Sequence, residues 1–348
     1  MRTCLVGSEM CIRDRLKAQK MDENYRIKDL NGDVSILNGK ASYTTKQIDI
    51  DFDELHFTLS NTDMKIRGNR FKYQTDLFDF NTNIPNWIDV FLEKSQTITV
   101  GGKMNFDMFT TSIWSDFFKK FDASEDTTSF VEIQINKLKL DVNTLHFNKA
   151  LFHDVEIQHL ELKEQIDLHY VKAKGQGGDY YFENIKINNL DDGYSILTKG
   201  ELNRISVDKL LYEFDDFEQT YINSNQIKGE ISSAFKASFF INPSKSFDLK
   251  SLTFNSDNSF QHVKLIDYNY IAEIVDYFDE SMITRNIVDI PYYKQKSKKI
   301  IFKPFRNNMS FKDGKLNISP TYLENNMLNL NLKGCLLYTS DAADDSLR

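Results

Sequence analysis

Residues 131–142 read VEIQINKLKLDV, and their spacing decides the fold class. Val131, Ile133 and Ile135 alternate with Glu132, Gln134 and Asn136; then the parity slips by one residue and Leu138, Leu140 and Val142 continue the alternation. A period of two puts every second side chain on one face, so the segment reads as a strand with one apolar and one wet side. The slip predicts a bulge or short turn between Ile135 and Leu138, and a second slip between Ile157 and Leu160 predicts another. The same spacing recurs in Ile48, Ile50, Phe52, in Phe235, Ala237, Phe239, Ile241, and in Leu328, Leu330, Leu332. The fold class is therefore mainly β, a long antiparallel meander. Asn-Gly at 31–32 and 38–39, Asp-Asp-Gly at 191–193 and Asp-Gly at 313–314 are its hairpin signals.

Helical spacing predicts four short helices: Trp87, Ile88, Phe91, Leu92 after Pro85; Ile113, Trp114, Phe117, Phe118, Phe121; Val207, Leu210, Leu211, Phe214, Phe217; and Tyr268, Ile271, Ile274, Val275, Phe278, Met282. Their polar faces are acidic, the wrong sign for anionic membranes, so they read as caps on the sheet. Four short helices cannot cover some fifteen to twenty strands of about 5–6 residues. Either the sheet folds onto itself as a sandwich, or it curls into an elongated, taco-like groove with its apolar lining left for a ligand.

The 348-residue chain carries a net charge of −8 and three cysteines, Cys4, Cys11 and Cys335, all near its ends. Residues 1–15 and 335–348 hold four Arg and no Lys, Phe or Asn, whereas residues 16–334 hold 33 Lys, 6 Arg and all 27 Phe. Both ends resemble translated sequencing-adapter read-through and are expected to be disordered. The four segments expected are 1–15, an upstream β-repeat at 16–125, a β-groove module at 126–334, and 335–348. Without cysteine, residues 16–334 offer no disulfide, thiolate metal site or cysteine nucleophile. The acidic balance argues against nucleic acid as a partner.

Few residues suggest chemistry. The six histidines include four between 146 and 169 but no compact metal-binding pair, and they read as scattered. Asp49, Asp51 and Asp53 share one strand face, which reads as solvated. Gly175-Gln176-Gly177-Gly178 precedes Tyr180, Tyr181, Phe182, a strand, so it is a turn and not a phosphate cradle. The run Lys294, Lys296, Lys298, Lys299 reads as a solvated loop that could meet a phosphate headgroup. No nucleophile, metalloprotease or P-loop motif occurs, so no catalytic residue, metal or cofactor is expected.

From residue 126 to 334 the order of elements resembles the C-terminal region of AsmA-like proteins of the Bacteroidota type. The resemblance rests on Leu151-Phe152-His153-Asp154-Val155 and Tyr181-Phe182-Glu183-Asn184-Ile185, the small residues from Ala173 to Gly178, and the helix Ile205–Leu211 running on to Gln219. It continues through Gln226-Ile227-Lys228-Gly229-Glu230, Lys299-Ile300-Ile301-Phe302 and Met309–Ile318, and ends at Leu328–Gly334. Pro291-Tyr292-Tyr293 and the lysines after it lengthen the connection beyond the family's pattern. The resemblance implies a non-enzymatic periplasmic module of a diderm bacterium, held to the inner membrane by an anchor N-terminal to these residues and related to TamB and chorein-type bridge proteins. It implies phospholipid acyl chains as partner, an envelope protein as a further partner, and a role in outer-membrane biogenesis. The lining it implies is Ile48, Ile50, Phe52, Val131, Ile133, Ile135, Leu138, Leu140, Phe235, Ala237, Phe239, Leu328, Leu330 and Leu332, with headgroup contacts at Lys294, Lys296, Lys298 and Lys299. The runner-up reading is a structural or interaction β-sandwich without a groove. Third stands a glycan hydrolase using Asp215 or Asp216.

Overall fold

The computed structural model describes residues 4–5, 9–21, 24–43, 47–92, 95–122, 132–163, 165–190, 193–218, 222–241, 247–280 and 287–337. The chain is mainly β and divides into two compact units, residues 1–173 and 174–348.

The first unit contains β1 (Cys4–Leu5), β2 (Glu9–Met21), β3 (Asn24–Tyr43), β4 (Ile48–Leu59), β5 (Met64–Tyr73), β6 (Asp76–Ile84), α1 (Trp87–Phe91), β7 (Thr97–Thr110), α2 (Thr111–Asp122), β8 (Glu132–Phe147), β9 (Ala150–Leu162) and β10 (Gln165–Gly175), whose last two residues pass the boundary. From β2 to β7 each strand pairs antiparallel with the next, and so do β8 and β9. Three features depart from the sequence reading. β7 and β8 are parallel, so between Thr110 and Glu132 the chain returns to the starting end of β7. This pairing joins residues on both sides of position 125, and the units separate at 173 instead. Finally, Glu9–Arg15 lies in β2, paired with Asn31–Leu37, where a disordered end was expected.

The core of this unit is aromatic. Phe52 stacks on Phe71 at 4.9 Å, Phe78 stacks on Phe106 at 5.2 Å, and the Trp114 ring of α2 lies 5.5 Å from Phe78 and 5.6 Å from Phe106. Asp76, wholly buried at the start of β6, ties the helix down. Its carboxylate accepts hydrogen bonds from Trp114 Nε1 (2.9 Å), the Thr110 amide (2.8 Å) and Thr110 Oγ1 (3.0 Å). A buried carboxylate is tolerated because these donors replace water.

The second unit contains β11 (Gly178–Leu190), β12 (Gly193–Ser206), α3 (Val207–Glu213), a 3-10 turn (Asp215–Glu218), β13 (Ile227–Ile241), β14 (Phe247–Ile266), α4 (Asn269–Glu280), α5 (Ile290–Ser297), β15 (Lys299–Ile301), β16 (Phe305–Lys312), β17 (Lys315–Leu323) and β18 (Leu330–Leu337). These strands form an antiparallel meander, with β14 pairing along its length with both β15 and β16. α3 packs on β12 and β13, α5 packs on β15, and α4 packs on α5.

The hairpin signals divide. Asp313-Gly314 forms the two-residue turn between Lys312 and Lys315, with φ of 53° and 70° at its two residues. Asn31-Gly32 and Asn38-Gly39 lie inside β3 instead, and residues 191–192 lie outside the described residues. At Gly39 the need for glycine comes from packing: the Phe52 ring lies where a Cβ would stand. Both predicted parity slips are register shifts or left-handed residues. They fall at Lys137 (φ 53°), between Ile135 and Leu138, and at His159 (φ 51°).

Candidate functional site

The second unit's sheet presents two faces of opposite character, fixed by cross-strand register. Residues directly opposite each other in an antiparallel pair point to the same side. One such row runs Phe182, Gly200, Phe235, Ser256, Met309, Ile318 over six strands. A second row on the same face is Thr198, Ala237, Phe254, Phe311, Leu316, and a third is Ile205, Ile231, Phe260, Phe305. This is the apolar face. Its rings pack against one another along the sheet: Phe254 stacks on Phe311 at 6.0 Å, Phe260 on Phe305 at 4.7 Å, and Phe182 meets Phe235 edge-on at 6.1 Å. Gly200 accommodates the Phe182 and Phe235 rings above its Cα.

α3 covers one end of this face. Leu211 of the helix is buried, as is Ile205 just before it. Gln176, in the glycine-rich turn before β11, is buried too: it accepts a 2.5 Å bond from the Tyr180 hydroxyl, donates to Glu213 of α3, and its carbonyl takes the Ser206 amide at 2.9 Å. Burial, with the nearby Glu213 charge, pushes the Tyr180 phenol well above its ordinary value.

The opposite face, whose side chains are mostly polar, bounds an open cleft of about 1100 Å3. Each of six strands contributes three consecutive residues or a close equivalent: Lys199-Gly200-Glu201, Ala234-Phe235-Lys236, Asn255-Ser256-Asp257, Asn308-Met309-Ser310, Asn317-Ile318-Ser319 and Lys333-Gly334-Cys335, with Tyr181 and Glu183 from β11. The middle residue of every triplet belongs to the apolar face, so the outer two supply the side chains and the middle one supplies backbone. A polar cleft was not legible from alternation, which shows that a strand has a wet face but not whether that face is hollow.

The fourteen residues expected to line an apolar groove separate into groups. Ile48, Phe52 and Leu138 are at most 5 % exposed, spent on the first unit's core, with Ile50, Ile135 and Leu140 half-buried in the same sheet. Ile133 is exposed and Val131 lies outside the described residues. Phe235, Ala237 and Phe239 are half-buried in β13, and Phe235 and Ala237 sit in the apolar rows. Leu330 and Leu332, on β18, are 40 % and 45 % exposed. Leu328 is not in a strand; its amide donates to Asn325 Oδ1 in the turn before β18.

The lysine run is not a loop. Lys294 and Lys296 belong to α5, Lys298 caps its C-terminus and Lys299 opens β15. The overlooked signal is Asp289-Ile290-Pro291: the Asp289 carboxylate accepts the Tyr292 amide as N-cap, and proline stands in the first turn. Lys294 bridges to α4 through Asp279 (2.8 Å) and Asp276 (3.1 Å), and these partners hold its ammonium above the ordinary value. Lys296 lies 5.5 Å over the Tyr292 ring. That leaves Lys298 and Lys299 as exposed cations without a side-chain partner among the described residues. Asp216 accepts the Ser224 amide at 2.8 Å, a turn-forming bond. No group of three or more metal-ligating side chains occurs among the described residues, and none of the described helices is long and apolar enough to cross a membrane.

Comparison with protein-family models, with curated proteins and with solved structures found no match.

Proposed function

We propose that this protein is a non-enzymatic lipid-handling module whose second unit carries acyl chains on its apolar face. The observation that supports this most is the set of in-register rows from Phe182 to Ile318, from Thr198 to Leu316 and from Ile205 to Phe305, continued at the β18 edge by exposed Leu330 and Leu332. Apolar side chains there would replace water around a hydrocarbon chain. At about 25 cal/mol per Å2, covering roughly 200 Å2 of chain is worth about 5 kcal/mol, enough to hold a lipid and not enough to trap it. The resemblance to AsmA-like proteins adds the setting: the periplasm of a diderm bacterium, an inner-membrane anchor in the parent protein, and delivery towards the outer membrane. Within the lysine run, Lys298 and Lys299, without a side-chain partner among the described residues, are the cations offered to a headgroup.

The first unit favours a different role. Its aromatic face is closed by α2, so it acts as a scaffold, which is the structural or interaction reading applied to half of the chain.

Native mass spectrometry tests the proposal on the full chain purified without detergent from a diderm host. Co-purified phospholipid in near-stoichiometric amount is expected; its reproducible absence rejects the lipid reading.

A further inference from the structure

Besides the single hydroxyls of Thr198 and Ser256, the apolar face turns polar across three neighbouring strands at one level. β13 reads Ile231, Ser233, Phe235 on this side; β14 reads Phe260, Asn258, Ser256; β16 reads Phe305, Asn307, Met309. Ser233 stands opposite Asn258, and Asn258 opposite Asn307, so three neighbouring strands turn polar at the same register position. The three side chains are joined. Ser233 Oγ donates to Asn258 Oδ1 at 2.7 Å, while Asn258 Nδ2 donates to Asn307 Oδ1 at 3.1 Å and to Ser256 Oγ at 3.0 Å. All three residues are buried, at 8 %, 7 % and 6 % exposed.

Placing three polar groups among phenylalanines costs desolvation that an all-apolar row would avoid. Within the line, Asn258 uses its acceptor and both donors. Asn307 differs: its oxygen is taken by Asn258, and its amide hydrogens have no partner among the described residues. The line therefore ends in a fixed donor pair, held in place by hydrogen bonds, with Phe305 on one side of it along β16 and Met309 on the other. A hydrocarbon offers such a donor nothing. An ester or amide carbonyl attached to a hydrocarbon offers an acceptor.

We propose that Asn307 is a carbonyl-reading site: it donates to the ester carbonyl of a bound acyl lipid and so sets where the glycerol end lies on the apolar face. This rests on the acyl-chain reading above. The recognised class is a carbonyl-linked acyl lipid, as opposed to an ether-linked or bare alkyl one.

A matched pair of probes tests it: diacyl phosphatidylethanolamine and its dialkyl ether counterpart of equal chain length, which differ only in the carbonyls. Full-length wild type should bind the diacyl lipid about fivefold tighter, the worth of roughly one net hydrogen bond. Asn307→Leu should lose the preference while binding the ether lipid like wild type. Because that variant could fold poorly, a second measurement uses wild type alone: infrared spectra of ester carbonyl-labelled lipid should show a lower stretching frequency when bound. Equal binding of the two probes by wild type, with an unshifted carbonyl band, overturns the carbonyl site and leaves lipid handling standing. Binding of neither probe rejects lipid handling and the site with it.

Discussion

The indole Nε1 of Trp114 donates a 2.9 Å hydrogen bond to Asp76 Oδ2, joining α2 to the start of β6 inside the first unit's core. Replacing Asp76 with alanine leaves the Trp114 indole and the Thr110 amide without their acceptor. Buried donors left unpaired cost about 1–3 kcal/mol each. We expect Asp76→Ala to lower the first unit's thermal midpoint by several degrees and to shift Trp emission to the red. An unchanged melting curve would show that α2 is held by apolar packing alone.

Gly102 in β7 has φ of 127°, and a Cβ there would collide with the Asn81 carbonyl of β6. Both strain and collision act against any side chain at this position. Gly102→Ala should cost on the order of 2–3 kcal/mol, read as a lower denaturant midpoint. Gly177→Ala is the comparison, since nothing stands within 4 Å of a Cβ there; it should cost less.

Glu156 on β9 accepts hydrogen bonds from Gln158 (2.7 Å), Lys139 (3.1 Å) and the Tyr170 hydroxyl (3.1 Å), which lower its pKa from 4.5 to about 2. A carboxylate whose folded pKa lies below its unfolded one stabilises the fold above the unfolded value. That contribution is fully present above about pH 4.5 and fades as pH falls towards 2. Glu156→Gln should be less stable at neutral pH and show a shallower loss of stability over that window. Parallel acid titrations of denaturant midpoint for the two proteins would contradict this.

Leu330 and Leu332 are exposed enough to be changed without opening a core. Leu330→Asp and Leu332→Asp should each reduce photo-crosslinking to an acyl-chain probe several-fold, because a carboxylate in contact with hydrocarbon must be desolvated. Lys298→Ala should change it little. Equal losses in all three variants would remove β18 from the lipid path.

The N-cap of α5 should contribute about 1 kcal/mol. Asp289→Ala is expected to loosen α5 and its ion pairs to α4, seen as faster amide exchange over 290–297, with the sheet unaffected.

Local chemistry was legible in the sequence wherever it was set by adjacent residues. The Asp313-Gly314 turn and the slip at Lys137 follow from short-range rules, and the structure bears them out. Asn38-Gly39 misled because a glycine demanded by the Phe52 ring looks the same as one demanded by a turn. α5 has no apolar stripe at helical spacing, so only the Asp289-Ile290-Pro291 cap marks it in the sequence. The parallel β7–β8 pair and the level of Ser233, Asn258 and Asn307 depend on register between distant strands, which no local pattern encodes. Alternation found which positions share a strand face, yet it could not say that Ile48 and Phe52 face a closed core.

Lys199-Gly200-Glu201 and Asn308-Met309-Ser310 each serve two surfaces at once, sending side chains to the polar cleft from the outer positions and leaving the middle one on the aromatic side. One backbone thickness is the whole wall between them. Bending that wall to narrow the cleft spreads the rings behind it, and flattening it crowds them, so the two surfaces are mechanical reciprocals of a single sheet.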